Sequence, residues 1–259
     1  MRTVTATRYV TPLREGGSLP AIVEADDDGL YVVKFRGAGQ GPKALVAEIV
    51  TGELARAAGL RVPDLVLVDV GPELGRNEPD GEIRDLLKAS VGLNVGLDFL
   101  PGSVTFDPAA GPPPADEEAS AVVWFDAFAS NVDRTPRNPN LLAWHRQIWL
   151  IDHGSSLYFQ HAWDEARDPA GSPFPQVKDH VLLPWAASIA AAGAGLAPRL
   201  GPAAVERVLA AVPDAWLGGE PGLPTPDAHR AAFARHLERR LRAAPTFVEE
   251  AERARAQLL

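Results

Sequence analysis

The stretch DPAAGPPPAD, residues 107–116, packs four Pro and one Gly into ten positions. Proline lacks an amide donor and has a fixed φ, so neither a continuous helix nor a central strand runs through such a segment. The loop therefore divides the chain into two parts, with the break either here or slightly earlier at LPG, residues 100–102. The first part reads as strands. TATRYVT is a candidate strand, LREGGSLP a turn, and AIVEADDDGLYVVKF a hairpin turning at Asp26 to Gly29. In RGAGQGPKALVAEIVTGELARAAGLRVPD, Gly41 and Pro42 open a helix and Gly59 closes it before Pro63. LVLVDV and VGLNVGLDFLPG are further strand-like runs, with polar ELGRNEPDGEIRD read as the connection between them. A small sheet carrying one helix is expected.

After the loop, EEASAVVWFDAFASN is helical, and Asp116, Glu117 and Glu118 place negative charge at its N-terminus. LLAW and IWLI form two short strands around a three-residue turn, HRQ. Beyond residue 178 the chain has helical periodicity in HVLLPWAASIAAAGAGL, in AAVERVLAAV and in one long final helix from about Pro226 to Leu259. Trp124, Phe125, Phe128, Trp144 and Trp149 are expected to pack in the core or between the parts.

With 259 residues, 46% of them hydrophobic, the chain has material for one large domain or two lobes. It contains no apolar run of membrane-spanning length and its first residues lack a signal-peptide pattern, so no membrane insertion and a cytoplasmic location are expected. It has no Cys, and its six His are scattered, which argues against a structural zinc site. A net charge of -9 argues against general nucleic-acid binding. Only four of its 25 basic residues are Lys. Where Arg is written so consistently, a Lys inside an apolar strand asks for a reason.

Lys34 is that residue. In YVVKF, Tyr31, Val33 and Phe35 share one face of a strand, and Val32 and Lys34 share the other. A buried ammonium needs an anion, either a carboxylate or a ligand phosphate. Glu48, on the helix stripe of Leu45 and Ile49, is the expected partner, with Glu53 in reserve. The alternative is a strand-edge Lys that snorkels to water.

The second cluster of chemistry lies in NVDRTPRNPNLLAWHRQIWLIDHG, residues 131–154. Asp152 comes after an apolar strand and precedes Gly154, a strand-exit position suited to holding a metal. An antiparallel hairpin of 141–144 with 148–151 would place Asn140 opposite Asp152. An Asn oxygen, a carboxylate and nucleotide phosphates make a hard-oxygen site for Mg²⁺. Asp133 would stand nearby to orient a hydroxyl. Spacing from Asp133 favours Asn138 as the metal-binding Asn, whereas direct entry into the strand favours Asn140. His153 is expected to make local hydrogen bonds.

A strand Lys, a helix Glu, a loop Asp with an Asn after it and an Asp after the next strand is the order used for phosphoryl transfer. At Lys34, Glu48, D133-R134-x-x-x-N138 and I151-D152-H153-G154 the sequence resembles the HipA-like kinases and, more distantly, phosphatidylinositol kinases and protein kinases. It departs from protein kinases in having Asn-Val-Asp before the loop and Asp-His-Gly after it. The resemblance implies an α+β, two-lobed protein kinase-like fold with a small strand-rich N-lobe, residues 1–101, and a mainly helical C-lobe, residues 102–259. It implies ATP and Mg²⁺ in the cleft. Lys34 would hold the phosphates, Glu48 would hold Lys34, and Asp152 with Asn140 or Asn138 would bind metal. Asp133 would position the acceptor hydroxyl, by the resemblance that of a protein Ser or Thr; the alternatives are a small-molecule or lipid-like kinase, which would share these motifs, and a nucleotide-binding protein without phosphotransfer. Arg134 or Arg137 would add charge near the transferring phosphate or brace the loop. By position, Gly16, Gly17 and Ser18 would cover the phosphates, and backbone groups of Asp98, Phe99 and Leu100 would read the base.

Overall fold

Alternating apolar residues in the first strands direct every second side chain into a closed barrel. In the computed structural model, which describes residues 1–13, 19–76, 78–110, 112–164 and 167–258, five strands build it: β1 (Thr3–Pro12), β2 (Ala21–Ala25), β3 (Leu30–Lys34), β4 (Leu65–Val70) and β5 (Gly92–Asp98). Their order is β1-β2-β3-β5-β4, and closure comes from parallel pairing of β1 with β4, Thr3 opposite Leu67. Val23, Tyr31, Val33, Val66 and Val68 fill the interior, while Leu65, Leu67, Val95 and Leu97 pack outward into the core that contains the helix α1 (Pro42–Ala58). Helix α1 begins after Gly41 at φ 64° and ends at Gly59 at φ 95°, left-handed conformations that glycine adopts without a Cβ clash.

The connection between β4 and β5 contains a second helix, α2 (Gly81–Ala89), where the sequence suggested only a polar link. The helix is short and buries only Ile83 and Leu87, too few apolar positions to establish a period. Its start is set by Asp80, whose carboxylate accepts the Glu82 N–H at 3.0 Å. Ile83 and Leu87 join the barrel core.

The rest of the chain forms a small sheet and a helical body. A short strand β6 (Val104–Thr105), the helix α3 (Asp116–Ala129) and the hairpin β7 (Leu141–Trp144) with β8 (Gln147–Leu150) lead into α4 (Ile189–Leu196), α5 (Pro202–Leu209), α6 (Pro226–Arg242) and α7 (Ala244–Ala256). Strand β6 pairs with β7, so the chain has entered the second sheet by residue 104, before the Pro-rich loop. The hairpin turn is two residues rather than HRQ. His145 and Arg146 both have positive φ, 48° and 63°, and Gln147 already pairs with Trp144. Such turns match the twist of the strands they join. The expected single final helix is two, because Pro245 cannot continue the hydrogen-bond ladder and Ala243 leaves helical geometry at ψ 10°. Pro184 likewise delays the helix in HVLLPWAASIAAAGAGL until Ile189.

Helix α3 is the centre of this body. Trp124, Phe125 and Phe128 are buried, and Trp124 stacks on Phe128 and meets Phe247 of α7 edge-on. Arg240 from α6 is buried against the C-terminal end of α3 and donates to the carbonyls of Ala127 at 2.7 Å and Phe128 at 3.3 Å. A cation there satisfies carbonyls that the helix leaves unpaired. Among the described residues no helix is long and apolar enough to cross a membrane.

Gly193 in α4 lies against Trp124, and a Cβ placed on it would fall 2.2 Å from the indole nitrogen. Helix propensity favours Gly193→Ala by about 1 kcal/mol, whereas overpacking a rigid core costs typically about 1–3 kcal/mol. Because Trp124 is locked between two aromatic rings, the expected outcome is net destabilisation, read as a lower denaturation midpoint with an unchanged slope.

Candidate active site

Strand β3 ends at Lys34 and helix α1 lies across the outer face of the barrel, which brings Glu48 to the Lys34 ammonium. Lys34 Nζ donates to Glu48 Oε2 and to Asp152 Oδ1, each at 2.6 Å. Of the two readings of Lys34, the paired one holds: its side chain is 13% exposed, Glu48 is fully buried, and Asp152 is 44% exposed. The node therefore opens to solvent on the Asp152 side. Burial pushes the Glu48 carboxyl up, but the Lys34 charge and His153 outweigh it and hold it down at about 2. Burial would lower Lys34, yet the two carboxylates prevail and raise it. Asp152 is left-handed at φ 55°, and the next residue, His153, donates its backbone N–H to Glu48 Oε2 at 2.8 Å. The His153 side chain is fully buried beneath α1, with Nδ1 3.5 Å from Glu48 Oε1.

The loop after α3 builds the other half. Asn138 Nδ2 donates to Asp133 Oδ2 at 2.9 Å, and Asn140 Nδ2 reaches the same oxygen at 3.2 Å and the Asp133 carbonyl at 2.9 Å. Both amides face one carboxylate through nitrogen, which leaves their oxygens free for another partner. Asn140 is buried and Asn138 exposed. The hairpin register differs by one residue from the expected pairing. Leu141 pairs with Leu150, so Asn140 faces Ile151, whose N–H donates to the Asn140 carbonyl at 3.1 Å. Asp152 is the next residue along.

Arg134 does not reach out toward a transferring phosphate. Its side chain is buried against Asp126 of α3, with Nε donating to Asp126 Oδ2 and Nη1 to the carbonyls of Asn140 and, at 3.4 Å, Ile151. Its geometry is that of the loop brace, because a guanidinium bound to a fully buried carboxylate cannot also extend to solvent. Asp126 also accepts from Asn131 Nδ2 at 3.1 Å and from His180 Nε2 at 3.0 Å. The Leu182 N–H donates to His180 Nδ1 at 3.0 Å, so the ring proton sits on Nε2 and points at Asp126. Burial opposes ionisation of Asp126, but Arg134 and His180 hold it well below the usual carboxylate range. Sequence reading missed Asp126, His180 and Asn131. The available signal was an Asp inside WFDAF, an apolar helix in which an ionised side chain needs a buried partner.

At the end of β5 the amides of Asp98 and Phe99 are engaged by the carbonyls of Asp64 and Leu30, both at 2.9 Å. As base-reading donors these two N–H groups are therefore excluded, which leaves Leu100 and the carbonyls of the stretch. Gly16, Gly17 and Ser18 lie outside the described residues. The glycine-containing segment before α1, residues 36–41, packs against the end of α2: Gly37 N–H donates to Ser90 Oγ at 3.1 Å, and a Cβ there would lie 2.7 Å from Ala89 Cβ.

Glu48 has a depressed folded-state pKa, so its contribution to stability is fully present above its unfolded value of 4.5 and is lost as pH falls toward about 2. Wild type is therefore expected to lose stability more steeply than Glu48→Gln over that window. Urea denaturation of both proteins from pH 5 to pH 2 checks this, and equal slopes would show that Glu48 is not held ionised.

The model of the HipA-like kinase family matches residues 7–244. The fold is similar to the crystal structure of a Helicobacter pylori proinflammatory kinase, CtkA, with a TM-score of 0.57 and 12% sequence identity over 100% of this chain and 99% of that one. No curated protein gives a significant match. The family match takes in the barrel, the Lys34 node, the Asp133 loop and the helical body through α6, and the chain belongs to the HipA-like kinase family.

Proposed function

We propose that the chain transfers the γ-phosphoryl group of ATP, in the presence of Mg²⁺, to a Ser or Thr hydroxyl of a protein. The observation that carries this reading is the convergence of Lys34, Glu48 and Asp152 within hydrogen-bond distance, from a strand, a helix and a post-hairpin loop. A cation on a strand, held ionised by a buried carboxylate, is suited to nucleotide phosphates. In this reading Lys34 binds the α- and β-phosphates, and Glu48 keeps it oriented. The proposed lobes meet near residues 101 and 102, with Leu100 and neighbouring carbonyls beside the base and Gly16, Gly17 and Ser18 over the phosphates.

The donor set fits Mg²⁺. Asp152 and the amide oxygen of Asn140 or Asn138 are hard oxygen ligands. Among the described residues no group of three or more His, Cys, Asp or Glu side chains is placed to hold a metal. The remaining ligands would then be nucleotide oxygens and water, as is usual for this ion. Bound there, Mg²⁺ would neutralise phosphate charge. Asn140, buried beside the Asp152 loop, is favoured as the ligand, with Asn138 holding Asp133 in place. Asp133 would orient the acceptor and take its proton as the new P–O bond forms and the bond to ADP breaks. A protein acceptor is supported by the resemblance to HipA-like kinases.

ATP with Mg²⁺ at a hundred times its dissociation constant should stabilise the protein by about 2.7 kcal/mol. A magnesium-dependent rise in Tm is expected for wild type and Asp133→Ala and not for Asp152→Ala, and Asp133→Ala should lose phosphoryl transfer while keeping ATP binding. A well-folded wild type that no nucleotide stabilises would overturn the reading.

A further inference from the structure

A second ionic contact reaches α1, away from the Lys34 node. Lys43, in the first turn of α1, pairs with Glu220 Oε1 at 2.8 Å and donates to the backbone carbonyl of Gln160 at 3.1 Å. Glu220 belongs to the loop between α5 and α6, and Gln160 lies eight residues beyond Asp152. The pair therefore ties the N-terminal end of α1 to two segments of the helical half. The loop that presents Glu220 has a specified shape. Gly218, Gly219 and Gly222 all have positive φ, from 74° to 85°, and the Gly218 N–H donates to Nδ1 of the buried His229 on α6 at 3.0 Å.

Helix α1 carries Glu48 five residues after Lys43, about 7.5 Å along the axis. Its other ties lie farther along: Thr51 Oγ1 meets Ser156 Oγ at 2.6 Å, and Arg199 donates to the Ala58 carbonyl at 2.9 Å. Before Lys43 the chain passes through Gly39 and Gly41, both with positive φ, and no side chain caps the helix. The inner face of the first turns is held by Leu45 and Val46, buried in the core, while on the outer face Lys43 supplies the ionic tie to the helical half. Lys43 is also one of only four lysines in an arginine-rich chain.

We propose that Lys43 and Glu220 are positioning residues, whose pairing across the two halves of the chain seats α1 so that Glu48 holds Lys34 in its phosphate-binding geometry. The inference rests on the proposed binding of nucleotide at Lys34. Both side chains are partly exposed, so the pair adds little to global stability. Its effect is on where α1 sits.

The test uses the full chain as wild type, Lys43→Glu, Glu220→Lys and the double exchange. Two readouts are needed: hydrogen exchange at the first turns of α1 without ligand, and the Kd for ATP with Mg²⁺ at low salt. Each single variant should exchange faster at residues 44–49 and bind ATP on the order of fivefold more weakly, the upper range for an exposed pair. The double exchange should restore both, and the unliganded Tm should stay nearly constant. Single variants with wild-type exchange and affinity would overturn the proposal, as would a double exchange that restores neither. A wild type that binds no ATP would sink the nucleotide reading instead, while the exchange data would still report whether the pair seats α1.

Discussion

The buried ammonium of Lys34 is the constraint on which the arrangement depends. Removing a charge from water is costly, and a single carboxylate with poor geometry does not compensate for it. The chain answers with two carboxylates at 2.6 Å, one from α1 and one from the loop after β8. Those two carboxylates lie 14 and 118 positions from Lys34 in sequence. Holding them together fixes how the barrel, α1 and the hairpin sit relative to one another. Glu48 also accepts the backbone N–H of His153, so the Asp152 loop is anchored from both sides of its turn.

A second buried charge organises the other half of the site. Asp126 projects from the last turn of α3 and gathers Asn131, Arg134 and His180 around one carboxylate. Arg134 extends this hub to the Asn140 and Ile151 carbonyls at the open end of the hairpin. The loop from Asn131 to Asn140 is thus shaped from beneath, and Asp133 stands on its other side, held by two Asn amides. The end of α3 from which the loop departs is in turn satisfied by Arg240, a residue over a hundred positions later. Glu48 in one half of the candidate site and the Asp126 hub in the other are fully buried supports behind the side chains that face the cleft. In the proposed phosphotransferase such support would keep Lys34, Asp133 and Asp152 within the narrow tolerance that the reaction requires.

Much of this was legible in the sequence because the signals are local. The Asp-Asp-Asp-Gly turn marked the β2–β3 hairpin, alternation set the faces of β3, and the apolar run LVLVDV marked β4; Gly41, Pro42 and Gly59 bounded α1; a Lys in an apolar strand announced its need for an anion. The misses have physical causes of two kinds. Helix α2 buries a single pair of apolar side chains, and β6 is two residues long, so neither has enough period to detect. The long terminal helix broke at Pro245 and the hairpin tightened to His145 and Arg146, where local stereochemistry was present in the letters but was overruled by periodicity. Arg134 was read with a choice of roles because its neighbour in space, Asp126, is eight residues back on another element.

The sequence by itself determined which residue types stand in which order, the strand-rich and helical halves, and the candidates Lys34, Glu48, Asp133, Asn138, Asn140 and Asp152. Those arise from backbone stereochemistry and side-chain polarity, which act over a few residues. Tertiary structure alone decided that Lys34 binds two carboxylates at once, that Asn140 faces Ile151 rather than Asp152, and that Arg134 braces the loop. It also brought Glu220 to Lys43. Each of these depends on long-range register and on the cost of burying unpaired charge, and a charge finds its partner only once the fold has put both in the same dry place.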